Sequence, residues 1–256
     1  MQNLLKGKTI LVMGVANERS IAWGIAQSLH NAGARLAFTY QGERVERRIK
    51  ELVKDIPDAI VLPCDVTKDE EIDAVFAALE REVGTLHGLV HSLAFAQKED
   101  LEGKFVDTSR AGYSLAQDIS AYSLVAVTQR ARKLMKEGGS IVTMTYLGGE
   151  RVVPGYNMMG VAKAALDMSM RYLAADLGPE NIRVNAISAG PIMTLAARGV
   201  RDFSTMLKLV SEKAPLRRGV TQEEVGNTAL FLMSDLSSGI TGEIIHVDAG
   251  YNILGL

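Results

Sequence analysis

Cysteine is nearly absent from this chain of 256 residues, and the single Cys64 cannot form a disulfide within it. A lone thiol is typical of a reducing compartment, so we expect a cytoplasmic protein. No stretch approaches the roughly 18 consecutive apolar residues of a transmembrane helix, and we expect no membrane contact. The first apolar run, residues 9–13, has no signal-peptide cleavage site behind it and is predicted to be a strand.

Excess charge and metal-binding patterns are missing as well. The formal net charge is −2, which argues against nucleic acid as a partner because nucleic-acid-binding domains are usually basic. The 4 histidines are scattered without the spacing of metal ligands, so no metal site is predicted. Aromatic residues make up only 5% of the chain and hydrophobic residues 47%, so one sizeable core can be built from aliphatic side chains.

Seven short β-rich runs alternate with longer helical patterns from end to end. Several runs are apolar at successive positions, as expected for parallel strands covered on both faces. Two of the helices have capping-box sequences, Thr67 with Glu70 and Thr221 with Glu224. The alternation predicts an α/β fold over residues 1–256, a single-domain doubly wound (Rossmann-type) seven-stranded parallel sheet with helices on both faces. The predicted strands are residues 9–13, 35–40, 59–64, 86–92, 140–146, 183–189 and 243–247.

The turn after the first strand has features of a dinucleotide-binding site. Such a turn needs a glycine where the strand ends and helix amides that can receive the pyrophosphate. Gly14 meets the first requirement, and Ser20 is placed to cap the helix that follows. The spacing departs from G-x-G-x-x-G, so an ordinary glycine-containing strand–helix turn is the alternative.

Two further strand ends are candidates for cofactor contacts, because ligands of open α/β sheets bind at the carboxyl ends of strands. Asp65 and Val66 follow the third run and are expected to meet the adenine. Ser92, Leu93 and Ala94 end the fourth run, where small residues let a dinucleotide approach the backbone.

The end of the second strand distinguishes the two nicotinamide cofactors. A 2′-phosphate needs cationic partners, whereas a free ribose hydroxyl needs a neutral or acidic hydrogen-bonding group. Gln41 is neutral, and Glu43 would repel a phosphate. Arg44, Arg47 and Arg48 oppose this interpretation unless they form a solvated helix face, which is the reading we prefer. The sequence therefore favours NADH over NADPH.

A tyrosine and a lysine follow the fifth strand at a spacing that suits catalysis. Tyr156 and Lys163 are seven residues apart, about two helical turns, and so lie on one helical face. An ammonium group lowers the pKa of a neighbouring phenol and helps it to stabilise an oxyanion. The alternative is a loop-end aromatic and a surface lysine, but the neighbours of Lys163 are unusually apolar for a solvated side chain.

Four segments together closely resemble the short-chain-dehydrogenase type of enoyl-acyl-carrier-protein reductase. They are Gly14-x5-Ser20-Ile21-Ala22, Tyr146-Leu-Gly-Gly-Glu, Tyr156-x6-Lys163 and Val184-Asn-Ala-Ile-Ser-Ala-Gly-Pro191. The resemblance continues to Val247-Asp248-Ala-Gly-Tyr251 and so covers nearly the whole chain. Most short-chain dehydrogenases have their tyrosine at the place held here by Met159. This difference points away from ketone and alcohol chemistry and towards reduction of a conjugated double bond.

The resemblance implies a mechanism for bacterial type II fatty-acid synthesis. Lys163 would hold the nicotinamide ribose, hydride would pass to C3 of an enoyl thioester, and Tyr156 would stabilise the resulting enolate. Tyr146 would close the pocket, with a role in proton transfer left open. The implied cofactor contacts are Gly14, Ser20, Ile21, Gln41, Asp65, Val66, Ser92, Leu93, Ala94, Lys163, Ile192, Met193, Thr194, Leu195 and Ala196. The implied substrate contacts are Ala96, Tyr146, Tyr156, Met159, Ala196, Val200, Phe203 and Met206.

Residues 194–210 are expected to form a substrate-binding lid over the acyl chain, because apolar positions recur there after Gly190-Pro191. Two residues depart from the family pattern. Met193 stands where a basic residue is usual, and Gly155 stands where asparagine is common, which is expected to loosen that loop.

Two other functions are left open by the residues. One is a dehydrogenase of the same superfamily that acts on a carbonyl, against which Met159 argues. The other is a non-enzymatic dinucleotide sensor, which would need the Gly14 turn but neither Tyr156 nor Lys163. By the resemblance we expect acyl carrier protein as the partner that carries the thioester. We also expect a homotetramer with interfaces at the C-terminal strand region and at the helix around residues 118–132.

Overall fold

A computed structural model describes residues 3–194 and 203–255 of the chain. Within these ranges all the strands belong to one parallel sheet, in the order β3-β2-β1-β4-β5-β6-β7. The strands are β1 (Thr9–Met13), β2 (Arg35–Tyr40), β3 (Ile60–Pro63), β4 (Gly88–His91), β5 (Gly139–Thr145), β6 (Ile182–Ala189) and β7 (Ile244–Val247). The helices are α1 (Ile21–Asn31), α2 (Glu43–Leu52), α3 (Asp69–Val83), α4 (Lys98–Leu101), α5 (Arg110–Gln117), α6 (Ser123–Leu134), α7 (Asn157–Leu177), α8 (Phe203–Lys213) and α9 (Gln222–Met233).

The sheet separates two hydrophobic cores, because successive side chains of a strand point to opposite faces. On β1, Ile10 and Val12 belong to the core under α1, α2 and α9. Leu11 and Met13 belong to the other core, which is covered by α3, α6 and α7. Helices therefore cover both faces of a seven-stranded parallel sheet in the described residues, and the predicted doubly wound fold is confirmed.

The predicted strands agree with the observed ones to within two residues at each end. The bounds of β1 and β2 agree fully, whereas β3 and β4 are shorter at both ends than predicted. The ends of a strand depend on which residues find a partner in the neighbouring strand, and local sequence specifies that pairing poorly.

One of the two predicted capping boxes is present. Thr221 accepts a hydrogen bond from Glu224 N, and the Glu224 carboxylate accepts one from Thr221 N in return. The box predicted at Thr67 is wrong, because α3 begins one residue later, after Lys68. Thr67 is held by its neighbour instead, since its N–H and hydroxyl both donate to Asp65 Oδ1.

The strand order reverses at β1, which lies between β2 and β4. A crevice forms at the carboxyl ends of the strands at such a reversal, and it is the usual ligand site of this architecture. Gly14 leaves β1 with a φ of +100°, and a Cβ at this position would collide with the Ser92 carbonyl at the end of β4. Only glycine fits there, and the two strand ends lie close together around the crevice. In the described ranges, no helix combines the length and apolarity that would let it cross a membrane.

Candidate active site

The turn between β1 and α1 is fixed by Ser20. Its Oγ accepts hydrogen bonds from Ala16 N at 3.0 Å and from Asn17 N at 3.1 Å. Ser20 does occupy the N-cap position of α1, but its side chain makes no bond to the helix, so the expected cap is wrong. The Ser20 hydroxyl accepts its hydrogen bonds from the turn that precedes α1. Because no side chain caps α1, its first amides are free of the competitor that a pyrophosphate would otherwise have to displace.

The predicted adenosine contacts lie together where β2 and β3 end. Asp65 accepts from Thr67 and lies beside the Gln41 side chain. Burial raises the pKa of Asp65, but the hydrogen bonds from Thr67 and Gln41 outweigh it and hold that pKa below its ordinary value. The carboxylate is therefore ionised at neutral pH and can accept a bond from a ribose hydroxyl or an adenine amine.

The three arginines of α2 are exposed, as a solvated helix face requires. Two of them, Arg44 and Arg48, nevertheless line a cleft of about 420 Å³ beside the nucleotide turn, with Asn17 and Arg19. Glu18 and Glu51 line the same cleft, but its three arginines outnumber these two acidic side chains, so the charge of the cleft does not oppose the binding of a further phosphate.

The remaining predicted cofactor contacts that the structure describes lie in the segments after β3, β4 and β6 or at the start of α1. Ile21 and Ile192 are partly buried against one core, and Val66 and Leu93 against the other. Ser92 is partly buried and Ala94 is exposed at the end of β4. Met193 is 40% exposed, in keeping with its place beyond the end of β6. Thr194 is partly buried, while Leu195 and Ala196 lie outside the described residues.

Tyr146 and Tyr156 form the centre of the site. Their rings meet edge to face, with centroids 4.9 Å apart and an angle of 72° between the planes. Tyr146 directly follows β5, and Tyr156 is the N-cap residue of α7, so two different elements position the pair. Burial raises the pKa of Tyr146 to about 12 and also raises the pKa of Tyr156, to which Tyr146 and Asp167 contribute. Both phenols are protonated at neutral pH and can donate a hydrogen bond.

Lys163 is buried on α7, with 5% of its surface exposed. Its Nζ donates to the Met144 carbonyl of β5 at 2.7 Å, which leaves further N–H donors available. Burial lowers the pKa of Lys163 to about 8, and the negative charge of Asp167 opposes that effect. The expectation that Lys163 lowers the pKa of Tyr156 is wrong here, because burial dominates the phenol.

Met159 helps to form a small apolar cluster beside Tyr156. The cluster contains Ala96, and its buried members include Met158, Met159 and Ala162. Met159 Sδ lies 3.8 Å from Ser120 Oγ, which accepts from Phe95 N at 2.9 Å and donates to the Phe95 carbonyl at 3.0 Å. Three predicted substrate contacts, Ala96, Tyr156 and Met159, are thus brought to one place.

Helix α8 contacts Tyr146 through Met206. The Tyr146 hydroxyl donates to Met206 Sδ at 3.3 Å, and Phe203 lies in the first turn of the same helix. Met206 also packs beside Tyr251 against the small core that contains Ala249. Of the remaining predicted lid contacts, Ala196 and Val200 lie outside the described residues.

The sequence reasoning gave no role to several residues that position this site. A Cβ on Gly148 would collide with the Tyr156 ring, and one on Gly149 would come within 2.8 Å of Asp167 Oδ2. A Cβ on Gly160 would lie 2.8 Å from the Gly148 carbonyl. These glycines let the turn after Tyr146 lie directly against α7. The paired glycines of the Tyr146 motif were the available signal, while nothing in the sequence marked Asp167.

Gly155 has a φ of +76°, which glycine adopts without strain and asparagine tolerates. This φ is a conformational reason for glycine at position 155.

The comparisons with known proteins agree on one family. A family model of enoyl-(acyl carrier protein) reductases matches residues 14–252. An enoyl-[acyl-carrier-protein] reductase [NADH] FabI of Bacillus cereus is 64% identical over 254 residues, which cover 98% of this chain and 99% of the relative. An enoyl-[acyl-carrier-protein] reductase [NADPH] FabI of Staphylococcus aureus is 55% identical over 252 residues and covers 98% of each chain.

Solved structures agree in the same way. The crystal structure of the Bacillus cereus reductase with NADP+ and indole naphthyridinone has a TM-score of 0.98, is 64% identical and covers 100% of both chains. The NADH enzyme from Aquifex aeolicus has a TM-score of 0.96, is 49% identical and covers 99% of both chains. On sequence, fold and comparison alike, this chain belongs to the enoyl-acyl-carrier-protein reductase family of short-chain dehydrogenases and reductases.

Proposed function

We propose that the chain reduces the double bond of a trans-2-enoyl thioester with NADH, as a step of fatty-acid elongation. The single observation that carries this proposal is the joint placement of Tyr156, Lys163 and Met159. A protonated phenol and a buried ammonium group both belong to α7 at the end of β5, and a thioether stands where a carbonyl-reducing relative has its tyrosine. When bound, the nicotinamide supplies the hydride that C3 receives.

Tyr156 is the proposed catalytic donor to the thioester oxygen. Its raised pKa keeps the phenol protonated, so it can donate a hydrogen bond to the oxygen that becomes an enolate. The edge of its ring rests on Tyr146, which restricts where the hydroxyl can lie. Tyr146 is the proposed wall of the acyl pocket, because its own hydroxyl already donates to Met206.

Lys163 is the proposed anchor of the nicotinamide ribose. The Met144 carbonyl accepts one of its N–H groups and fixes the direction of the side chain. The ammonium group has three donors, so two are left for ribose hydroxyls. Its positive charge also favours negative charge on the neighbouring thioester oxygen.

NADH is the proposed cofactor. The dinucleotide is expected in the crevice at the end of β1, where Gly14 turns the chain with a φ of +100° and lies directly against Ser92. Neutral Gln41 beside ionised Asp65 suits two free ribose hydroxyls and repels a 2′-phosphate. Relatives with [NADH] in their names and relatives with [NADPH] both share more than half of this sequence, so the preference depends on these few side chains.

The proposed partner is acyl carrier protein, which is part of the names of the relatives. We also propose a homotetramer in the cytoplasm, with residues 1–256 as one domain and residues 194–210 as its lid. Self-association is supported by four large side chains that are exposed on α5, on α7 and in the segment between α5 and α6. They are Tyr113, Tyr122, Met168 and Tyr172.

The deciding experiment follows NADH oxidation with three thioesters of equal chain length, a 2-enoyl, a 3-ketoacyl and a saturated one. We expect the 2-enoyl thioester alone to support turnover, with deuterium from labelled NADH found at C3. Turnover of the 3-ketoacyl thioester would favour the carbonyl-reducing alternative. Tight NADH binding with no turnover on any thioester would favour the nucleotide sensor.

A further inference from the structure

A buried carboxylate lies one helical turn from Lys163, and the mechanism above does not use it. Asp167 is 4% exposed and follows Lys163 by four residues on α7, which places both side chains on one face of the helix. A buried carboxylate without compensation is costly, and such groups normally have a partner or a task.

The hydrogen bonding of this carboxylate is incomplete at one oxygen. Among the described residues, Asp167 Oδ1 has no hydrogen-bond partner, although it is completely buried. The Thr145 hydroxyl lies nearby and acts to lower the pKa of Asp167, yet Thr145 Oγ1 makes no hydrogen bond of standard geometry either. The other oxygen, Oδ2, faces Gly149, where a Cβ would approach to 2.8 Å. The carboxylate is therefore enclosed between the Tyr146 turn and α7.

The charged groups that shift the pKa of Asp167 lie on α7 and in the turn after β5. On α7, Lys163 and Arg171 lower the pKa of Asp167, while Glu150 in the turn after β5 raises it. Burial is the largest influence and raises the pKa overall. His91 of β4 also faces Lys163, but it is neutral because burial lowers its pKa to about 3. Asp167 is thus the group that favours the charged form of Lys163.

We propose that Asp167 is a positioning residue that keeps the Lys163 ammonium group charged and in place for the nicotinamide ribose. The inference rests on the proposed function of this site. Burial favours the neutral form of the lysine, since it removes water from the ammonium group. A neutral lysine would lose the positive field at the thioester oxygen and one of its donors to the ribose. The Met144 carbonyl fixes the direction of Lys163, and Asp167 supplies the charge that lets it remain an ammonium group.

The test replaces the charge and keeps the shape, with Asp167→Asn. NADH affinity is measured by cofactor fluorescence from about pH 6 to about pH 9.5, which brackets the Lys163 pKa of about 8. We expect the pH at which half of the affinity is lost to fall by about one pH unit in the variant, with little change at the acidic end. An equal loss of affinity at every pH would overturn the proposal, because a purely structural role predicts it. An unshifted profile would overturn it too.

Asp176→Asn is the matched control, because Asp176 is an exposed aspartate on the same helix. It should leave the profile unchanged. A shift as large as that of Asp167→Asn would mean that the overall charge of α7 matters and not the buried carboxylate.

A second measurement needs neither substrate nor cofactor, and so separates this proposal from the proposed function. The ε-carbon resonances of labelled lysines are titrated by NMR, and Lys163 is assigned by its loss in Lys163→Met. The Lys163 resonance should titrate at lower pH in Asp167→Asn than in the wild type. Equal midpoints would refute the role of Asp167 even in an active reductase, and a shift would support it even if the wild type reduced no enoyl thioester.

Should Asp167→Asn fail to fold, the reciprocal variant decides. Removing the ammonium group in Lys163→Met should raise the pKa of Asp167 further, since Lys163 lowers it. A carboxyl with a raised folded-state pKa loses stability as pH rises from its unfolded value through its folded one. As pH rises from the unfolded-state pKa of Asp167 through its folded-state pKa, Lys163→Met should therefore lose more free energy of unfolding than the wild type. Urea unfolding at several pH values measures this difference. A difference that does not vary with pH would overturn the proposal.

Discussion

The Tyr146 hydroxyl donates a hydrogen bond to Met206 Sδ at 3.3 Å, across 60 residues of sequence. This contact joins the end of β5 to α8, and it places a flexible apolar side chain at the mouth of the proposed acyl pocket. The geometry connects the lid region to the tyrosine that lines the site.

Shortening Met206 should therefore affect long substrates more than short ones. Met206→Ala is expected to raise KM for a dodecenoyl thioester several-fold, because apolar contact with the chain is lost at about 0.8 kcal/mol per CH2. The KM for a crotonyl thioester should change little. Leu209→Ala on the exposed side of α8 is the control, and equal effects of both variants would show that Met206 acts only through helix stability.

Tyr156→Phe should lower kcat by about 10² to 10³, the usual loss when one oxyanion donor is removed. NADH affinity should stay near the wild-type value. Tyr146→Phe should lower kcat less, because that hydroxyl is engaged by Met206. Steady-state kinetics of both single variants and the double variant, on two thioesters of different electrophilicity, measure this. A crippled Tyr146→Phe beside a nearly normal Tyr156→Phe would reverse the two roles.

NADH affinity should depend on pH through Lys163, whose pKa burial lowers to about 8. A lysine keeps its proton below its pKa, so affinity should be full below about pH 8 and should fall above it. Fluorescence titration of the wild type over this range gives the midpoint. Lys163→Met should bind NADH weakly with no such midpoint, and a midpoint that survives in this variant would assign the titration to another group.

NADH should give a higher kcat/KM than NADPH, because Gln41 and Asp65 offer no cation to a 2′-phosphate. Gln41→Arg should raise kcat/KM for NADPH about tenfold, the value of one charge-assisted bond of about 1.4 kcal/mol. If Arg44, which lines the cleft, binds the 2′-phosphate, Arg44→Gln should lower kcat/KM for NADPH. Arg47 lies outside the cleft, so Arg47→Gln is the control. A wild-type preference for NADPH would contradict the assignment.

Substitution of the two threonines that have capping-box sequences should lower the free energy of unfolding by different amounts. Thr221→Ala should lower the free energy of unfolding by about 1 kcal/mol, because it removes the cap of α9. Thr67→Ala should cost less, since Thr67 caps no helix and bonds to Asp65 in an exposed turn. Urea unfolding of both variants provides the comparison, and equal losses would contradict the observed difference between the two turns.

Much of the site could be predicted from residues that are close in sequence. Gly14 was identified from its place after an apolar strand, and Tyr156 with Lys163 from helical spacing. The structure places Gly14 at the carboxyl end of β1, and Tyr156 and Lys163 against the carboxyl end of β5, two strands away in the same sheet. The cap expected from Ser20 failed for a local reason, because a hydroxyl can serve only a few partners and the preceding turn lies closer.

The alternation of apolar runs and amphipathic helices by itself determined the parallel sheet, since each element must cover its apolar face. The tertiary structure alone decided how far the pKa values of the site residues move from their ordinary values. The tyrosine pKa values depend on burial by distant elements, and that of Lys163 also depends on Asp167, enclosed by the Gly149 turn. Close approaches such as Gly14 against Ser92 and Lys163 against Met144 join residues far apart in the chain. Local sequence specifies spacing along an element, whereas burial and charge follow from what other elements bring to the same place.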